Sequence, residues 1–143
     1  MGSIKPKFIE YFYSIATRTA ALSQAEKLKV GCVIVKDHRI LSIGYNGTPA
    51  GWSNVCEEDV GTSRQTKGCV IHAEANALMK LAKSTESSEG AVLFVTHFPC
   101  IECAKLIYQA GIKEVYFIEY YNASKGSGHS FLKEAGIKIY AKT

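Results

Sequence analysis

Residues 91–110 read AVLFVTHFPCIECAKLIYQA. Ala91 to Thr96 is a short apolar run with β-branched and aromatic members, which predicts a buried strand. Pro99 is acceptable at or just before a helix start, so residues 100–110 predict a helix. Gly111 suits its C-terminal cap. Outward from this pair, Val115–Ile118 reads as a further strand, Ser130–Ala135 as a short helix and Ile137–Tyr140 as a last strand. Upstream, a helix begins near His72. Ala73, Ala77, Leu78 and Leu81 give it an apolar side, and residues 84–90 end it.

Nearer the N-terminus, Val30–Val35 and Ile40–Tyr45 predict two strands joined by the polar turn Lys36-Asp37-His38-Arg39. Residues 8–25 carry Phe8, Phe12, Ile15, Thr19 and Leu22 at three- and four-residue steps. That spacing predicts an amphipathic helix with Glu10, Ser14 and Arg18 on its polar side. Between these parts, Asn46 to Cys69 is rich in Gly, Ser, Thr and acidic residues and reads as a long loop. Such loops are often functional. The order is helix, two strands, helix, strand, helix, strand, helix, strand. It predicts a single domain, residues 1–143, built as an α/β sandwich around a mixed five-stranded sheet. No repeat or linker interrupts it.

Composition agrees with an ordinary globular domain. Of 143 residues, 47% are apolar and 21% charged, and 17 Lys and Arg against 13 Asp and Glu give a net charge of +4. This mildly basic balance permits a phosphate-bearing partner. The eight tyrosines show no basic-aromatic interleaving, so no nucleic-acid track is expected. No apolar run is long enough for a membrane span, and none follows the start as a secretory leader would. The expectation is a cytoplasmic protein, in which the glycosylation matches Asn46-Gly47-Thr48 and Asn122-Ala123-Ser124 carry no weight.

Five cysteines do not resemble a closed disulfide framework, and metal binding is the better use of a close pair. Cys100 and Cys103 open a helix, where both sulfurs can share a face. The helix N-terminus favours thiolates there. With the imidazole of His72 they form a zinc ligand set that leaves a fourth position open, as catalytic zinc requires. Glu74, two residues on, need not bind metal. A carboxylate there can move a proton from water to substrate. A redox pair would give His72 and Glu74 no role. A structural zinc recruiting Cys56 or Cys69 as fourth ligand stays open, as does a second zinc site at those two cysteines. Cys32, on an apolar strand, reads as core.

Together Val30–Val35, Gly44-Tyr45-Asn46-Gly47, His72-Ala73-Glu74-Ala75-Asn76-Ala77 and Pro99-Cys100-Ile101-Glu102-Cys103-Ala104-Lys105 resemble the zinc-dependent cytidine/deoxycytidylate deaminase superfamily. H-x-E followed by P-C-x-x-C is the signature of zinc nucleobase deaminases. Gly44–Pro49, Gln109–Val115 and Ala135-Gly136-Ile137 are similar to its deoxycytidylate (dCMP) branch. The resemblance spans roughly residues 8–141. It implies a cytidine-deaminase-like three-layer α/β/α sandwich and hydrolysis of dCMP to dUMP and ammonia, feeding thymidylate synthesis. It implies catalytic Zn²⁺ on His72, Cys100 and Cys103, with Glu74 as proton shuttle. It also implies a homohexamer activated by dCTP and inhibited by dTTP, each carried with Mg²⁺. Deamination of free cytidine or deoxycytidine, deamination of a base in single-stranded nucleic acid, and a zinc-stabilised nucleotide-binding protein are the competing expectations.

Around that centre, Asn46 is the leading substrate residue, having both donor and acceptor groups, or else it satisfies a turn beside Gly47. Tyr45 and Gly44 accompany it as nucleotide-site or packing residues. His97 and Phe98, just before the cysteines, are candidates to line the base pocket. Arg18, Lys27, Lys29, Arg64, Lys67 and Lys105 are the candidates for phosphate or regulator contacts. His129 reads as an ordinary loop residue.

Overall fold

A computed structural model describes residues 4–120 and 127–143; Asn122-Ala123-Ser124 lies outside them. The chain runs α1 (Pro6–Ala20), β1 (Gly31–Lys36), β2 (Arg39–Tyr45), β3 (Glu57–Val60), β4 (Ser63–Thr66), α2 (Ala73–Ala82), β5 (Val92–His97), α3 (Ile101–Gln109), β6 (Glu114–Glu119), α4 (His129–Glu134) and β7 (Lys138–Ala141). The main sheet has five strands in the order β2-β1-β5-β6-β7. β1 pairs antiparallel with both β2 and β5, and β5-β6-β7 are parallel. The sheet is therefore mixed, as its sequence pattern predicts.

Both faces of the sheet are covered, which is why its central strands are continuously apolar. Alternate residues divide between two cores. Val33, Val35, Val92, Phe94 and Tyr116 pack against Phe12, Tyr13 and Ala16 of α1. Cys32, Ile34, Leu93, Val95, Val115 and Phe117 pack against Ala77 and Leu81 of α2, Ile107 of α3 and Leu132 of α4. One helix on one face and three on the other make the three-layer sandwich. Cys32 is wholly buried core, as expected. Among the described residues, no helix is long and apolar enough to cross a membrane.

Two sequence expectations change. The first helix ends at Ala20, so Leu22 falls in the turn beyond it and is 55% exposed instead of facing the core. The stretch expected to be one long loop contains the two-stranded hairpin β3-β4, paired from Glu57↔Thr66 to Val60↔Ser63. Its strands carry no apolar alternation, and all their residues are exposed except Glu57. Hydrophobic periodicity therefore gave no sign of them. Gly61, with φ +63°, supplies the tight turn. The expected turn between β1 and β2 is present, with Asp37 and His38 at φ 52° and 63°. Two successive positive φ values match the right-handed twist of a hairpin.

Candidate active site

His72 and Cys100 occupy the N-cap positions of α2 and α3. α3 follows directly from β5, and α2 packs beside it on the same face of the sheet. Two helix starts thus meet at one place. His72 Nδ1 lies 3.5 Å from Cys100 Sγ and 3.3 Å from Cys103 Sγ. All three ligand atoms fall within 4.8 Å of one another. Zinc bonds of about 2.3 Å to sulfur and about 2.0 Å to nitrogen put tetrahedral ligands about 3.5 Å apart, so the triangle fits zinc. Among the described residues this is the one such cluster, and neither Cys56 nor Cys69 belongs to it. No fourth protein ligand among the described residues joins the set, and Cys56 and Cys69 belong to no group of three or more candidate ligands.

The thiols are already polarised. A hydrogen bond from Cys103 holds Cys100 down to about 3, helped by His72, while Cys103 is correspondingly pushed up. One proton shared between two sulfurs has this signature, and a metal would displace it. Glu74, in the first turn of α2, is 4% exposed. Burial pushes its carboxyl up to about 7, against the opposing pull of its own backbone N–H and His72. A carboxyl near neutrality suits proton transfer in both directions.

His72, Glu74 and Cys100 border a cavity of about 680 Å³. Ala73, Glu74, His72, Cys100, His97 and Phe98 form one side. Ala25, Lys27, Leu28 and Val30 come from the segment after α1, and Glu57, Gln65, Thr66, Lys67 and Gly68 from the hairpin region. Of the six candidate cations, Lys27 and Lys67 reach this lining. Arg18 and Lys29 are exposed and outside it. Arg64 instead pairs with Glu26 at 2.8 Å and Asp59 at 3.2 Å, and Lys105 lies 3.5 Å from Glu102 on its own helix. His97 accepts or donates at 2.9 Å to Thr96 Oγ1, and burial lowers its pKa. Phe98 is buried, edge-on to Phe117 and stacked on Tyr120. His129, expected in a loop, opens α4 and packs its ring against Phe98.

The Gly44–Gly47 segment is the seat of α2. A Cβ on Gly44 would strike the carbonyl of Ala73 and come within 2.6 Å of the amide nitrogen of Ala77, so β2 touches the helix backbone directly. Asn76 Nδ2 donates to the carbonyl of Tyr45 at 2.9 Å. Gly47 and Ile71 exchange backbone hydrogen bonds just before His72. Asn46 reaches the cavity lining, and its amide is engaged by the chain itself. Oδ1 accepts from the amide of Val30 at 2.9 Å and Nδ2 donates to the carbonyl of Leu28 at 2.7 Å. Glu57, Gln65 and Thr66 are lining residues that the sequence reading missed; their signal was lost with the hairpin.

This fold and donor set define a zinc-dependent base deaminase. Residues 6–119 match the family described as the cytidine and deoxycytidylate deaminase zinc-binding region, and the chain belongs to that family. The dCMP deaminase of cyanophage S-TIM5, solved in complex with dCMP and dUMP, superposes with a TM-score of 0.91. It is 40% identical, over 98% of this chain and 100% of that one. The deoxycytidylate deaminase of Mycobacterium phage D29 is 42% identical over 79% of this chain and 95% of its own length. That of Saccharomyces cerevisiae is 35% identical over 95% of this chain, which spans only 45% of the yeast protein.

Proposed function

We propose that the chain is a zinc-dependent hydrolase that converts dCMP and water to dUMP and ammonia. The observation that carries this reading is the His72–Cys100–Cys103 triangle opening, with buried Glu74 beside it, onto a cavity large enough for a nucleotide. Zinc, when bound, supplies Lewis acidity to water at its open position. His72, Cys100 and Cys103 would hold it where two helix starts meet, with His72 and Cys100 on the cavity lining. Glu74 takes a proton from the water that attacks C4 and passes it to N3 of the pyrimidine. It then takes the second proton, from the C4 hydroxyl, and gives it to the departing amino group, so ammonia leaves and a C4 carbonyl remains. His97 and Phe98 wall the base, while Asn46, Tyr45, Gly44 and Gly47 hold the segment facing it. Lys27 and Lys67 supply positive charge for the 5′-phosphate.

The same reading includes activation by dCTP and inhibition by dTTP with Mg²⁺, a homohexamer, and a cytoplasmic protein supplying dUMP for thymidylate synthesis. The test is ammonia release by zinc-loaded protein from dCMP, with deoxycytidine, CMP and a cytosine-containing oligonucleotide in parallel, each with and without dCTP and Mg²⁺. Strong conversion of dCMP alone is expected, with stimulation by dCTP. Absence of conversion in both conditions removes the assignment, and preferred turnover of another substrate replaces it. Sedimentation of the same sample tests the hexamer.

A further inference from the structure

Glu57 opens β3 and is 3% exposed, although the rest of its hairpin lies in solvent. Its Oε2 accepts from the backbone amides of Glu26 at 2.9 Å and Lys27 at 3.2 Å, so the carboxylate is pinned to the segment after α1. Its Oε1 is buried and has no hydrogen-bond partner among the described residues. A buried carboxylate oxygen without a donor is costly, and native structures seldom keep one without a use. Glu57 also borders the cavity that holds Glu74 and Cys100, on the wall that carries Lys27 and Lys67.

Glu57 Oε1 therefore lacks a donor on a wall where Lys27 and Lys67 also lie. A ligand satisfying both must bring an anion and a neutral donor close together. A nucleoside monophosphate does so through its phosphate and its sugar hydroxyl; its base has the metal side to occupy. Resting on the deaminase reading, we propose that Glu57 Oε1 accepts a hydrogen bond from the 3′-hydroxyl of the nucleotide sugar and so selects for nucleotides that carry one. The backbone bonds to Oε2 fix the carboxylate before the ligand arrives, so little ordering entropy opposes the contact.

The test uses zinc-loaded protein and the non-reacting pair dUMP and 2′,3′-dideoxy-UMP, titrated calorimetrically into wild type, Glu57→Ala and Glu57→Gln. A hydrogen bond to a charged acceptor predicts that wild type binds the dideoxy compound roughly 10- to 100-fold more weakly. Glu57→Ala should bring that ratio close to one, and Glu57→Gln should lower it, because a neutral amide replaces the carboxylate oxygen. Glu57→Gln keeps an oxygen for the two backbone amides, so it separates the sugar contact from the loop tie if Glu57→Ala fails to fold. Equal binding of the two ligands by wild type, or a ratio preserved in Glu57→Gln, overturns the assignment. In either case ammonia release from dCMP leaves the deaminase reading standing. No binding of dUMP together with no ammonia from dCMP overturns both.

Discussion

At Glu74, burial acts on the carboxyl proposed to move the proton. Its folded-state pKa of about 7 lies above the ordinary 4.5, so in metal-free protein the folded state favours the protonated form. The stability this gives is full below about pH 4.5 and is lost as pH rises through 7. Cys100 titrates in the opposite sense, so the useful quantity is the difference between wild type and Glu74→Gln. Between pH 5 and 8 wild type should lose on the order of 2 kcal/mol relative to that variant. Urea unfolding of both proteins with chelator present measures this, and a pH-independent difference would contradict it. In the zinc-loaded enzyme Glu74→Gln should retain metal and lose roughly 10²- to 10⁴-fold in turnover. Metal analysis beside an ammonia assay checks both halves. Asn46 is a different kind of residue, because its side chain ties down Leu28 and Val30. Asn46→Ala strands a backbone donor and acceptor and should cost roughly 1–3 kcal/mol in urea unfolding.

Between β2 and α2 the decisive feature is the side chain that Gly44 lacks. Gly44→Ala drives a methyl group into the backbone of Ala73 and Ala77, which cannot swing aside as a flexible side chain would. The helix must move, at a cost of roughly 1–3 kcal/mol, carrying His72 and Glu74 with it. The variant should melt lower and release zinc to a chelator faster than wild type. Unchanged zinc release would show that β2 does not set the height of α2. The hairpin β3-β4 illustrates the opposite case of an element that sequence patterning misses. Glu58, Asp59, Arg64 and Gln65 are polar on both sides of their strands, so the period-two signal that marks β1 and β5 is absent. Its pairing and the Arg64–Asp59 and Arg64–Glu26 contacts exist only once the chain has folded back on itself.

Across the whole molecule, the candidate ligands come from two helices joined through β5, so metal binding there would clasp α2 to α3. A ligand that binds only the folded state stabilises it by about 2.7 kcal/mol at a hundredfold excess over Kd. Chelated protein should therefore melt several degrees lower than zinc-loaded protein, with zinc but not magnesium restoring the midpoint. Differential scanning calorimetry decides this, and identical midpoints would show that zinc is not coupled to folding.

The sequence by itself determined the sheet and the cluster of candidate metal ligands. Both are written locally: continuous apolar runs demand strands buried on two faces, and H-x-E and P-C-x-x-C place ligands at helix starts whatever lies elsewhere. Tertiary structure alone decided which of six cations border the cavity, that Asn46 spends its amide on Leu28 and Val30, and that Glu57 is buried while its neighbours are not. Each of those outcomes depends on segments far apart in the chain meeting at one wall, and surface polar residues carry no periodicity that would announce the meeting.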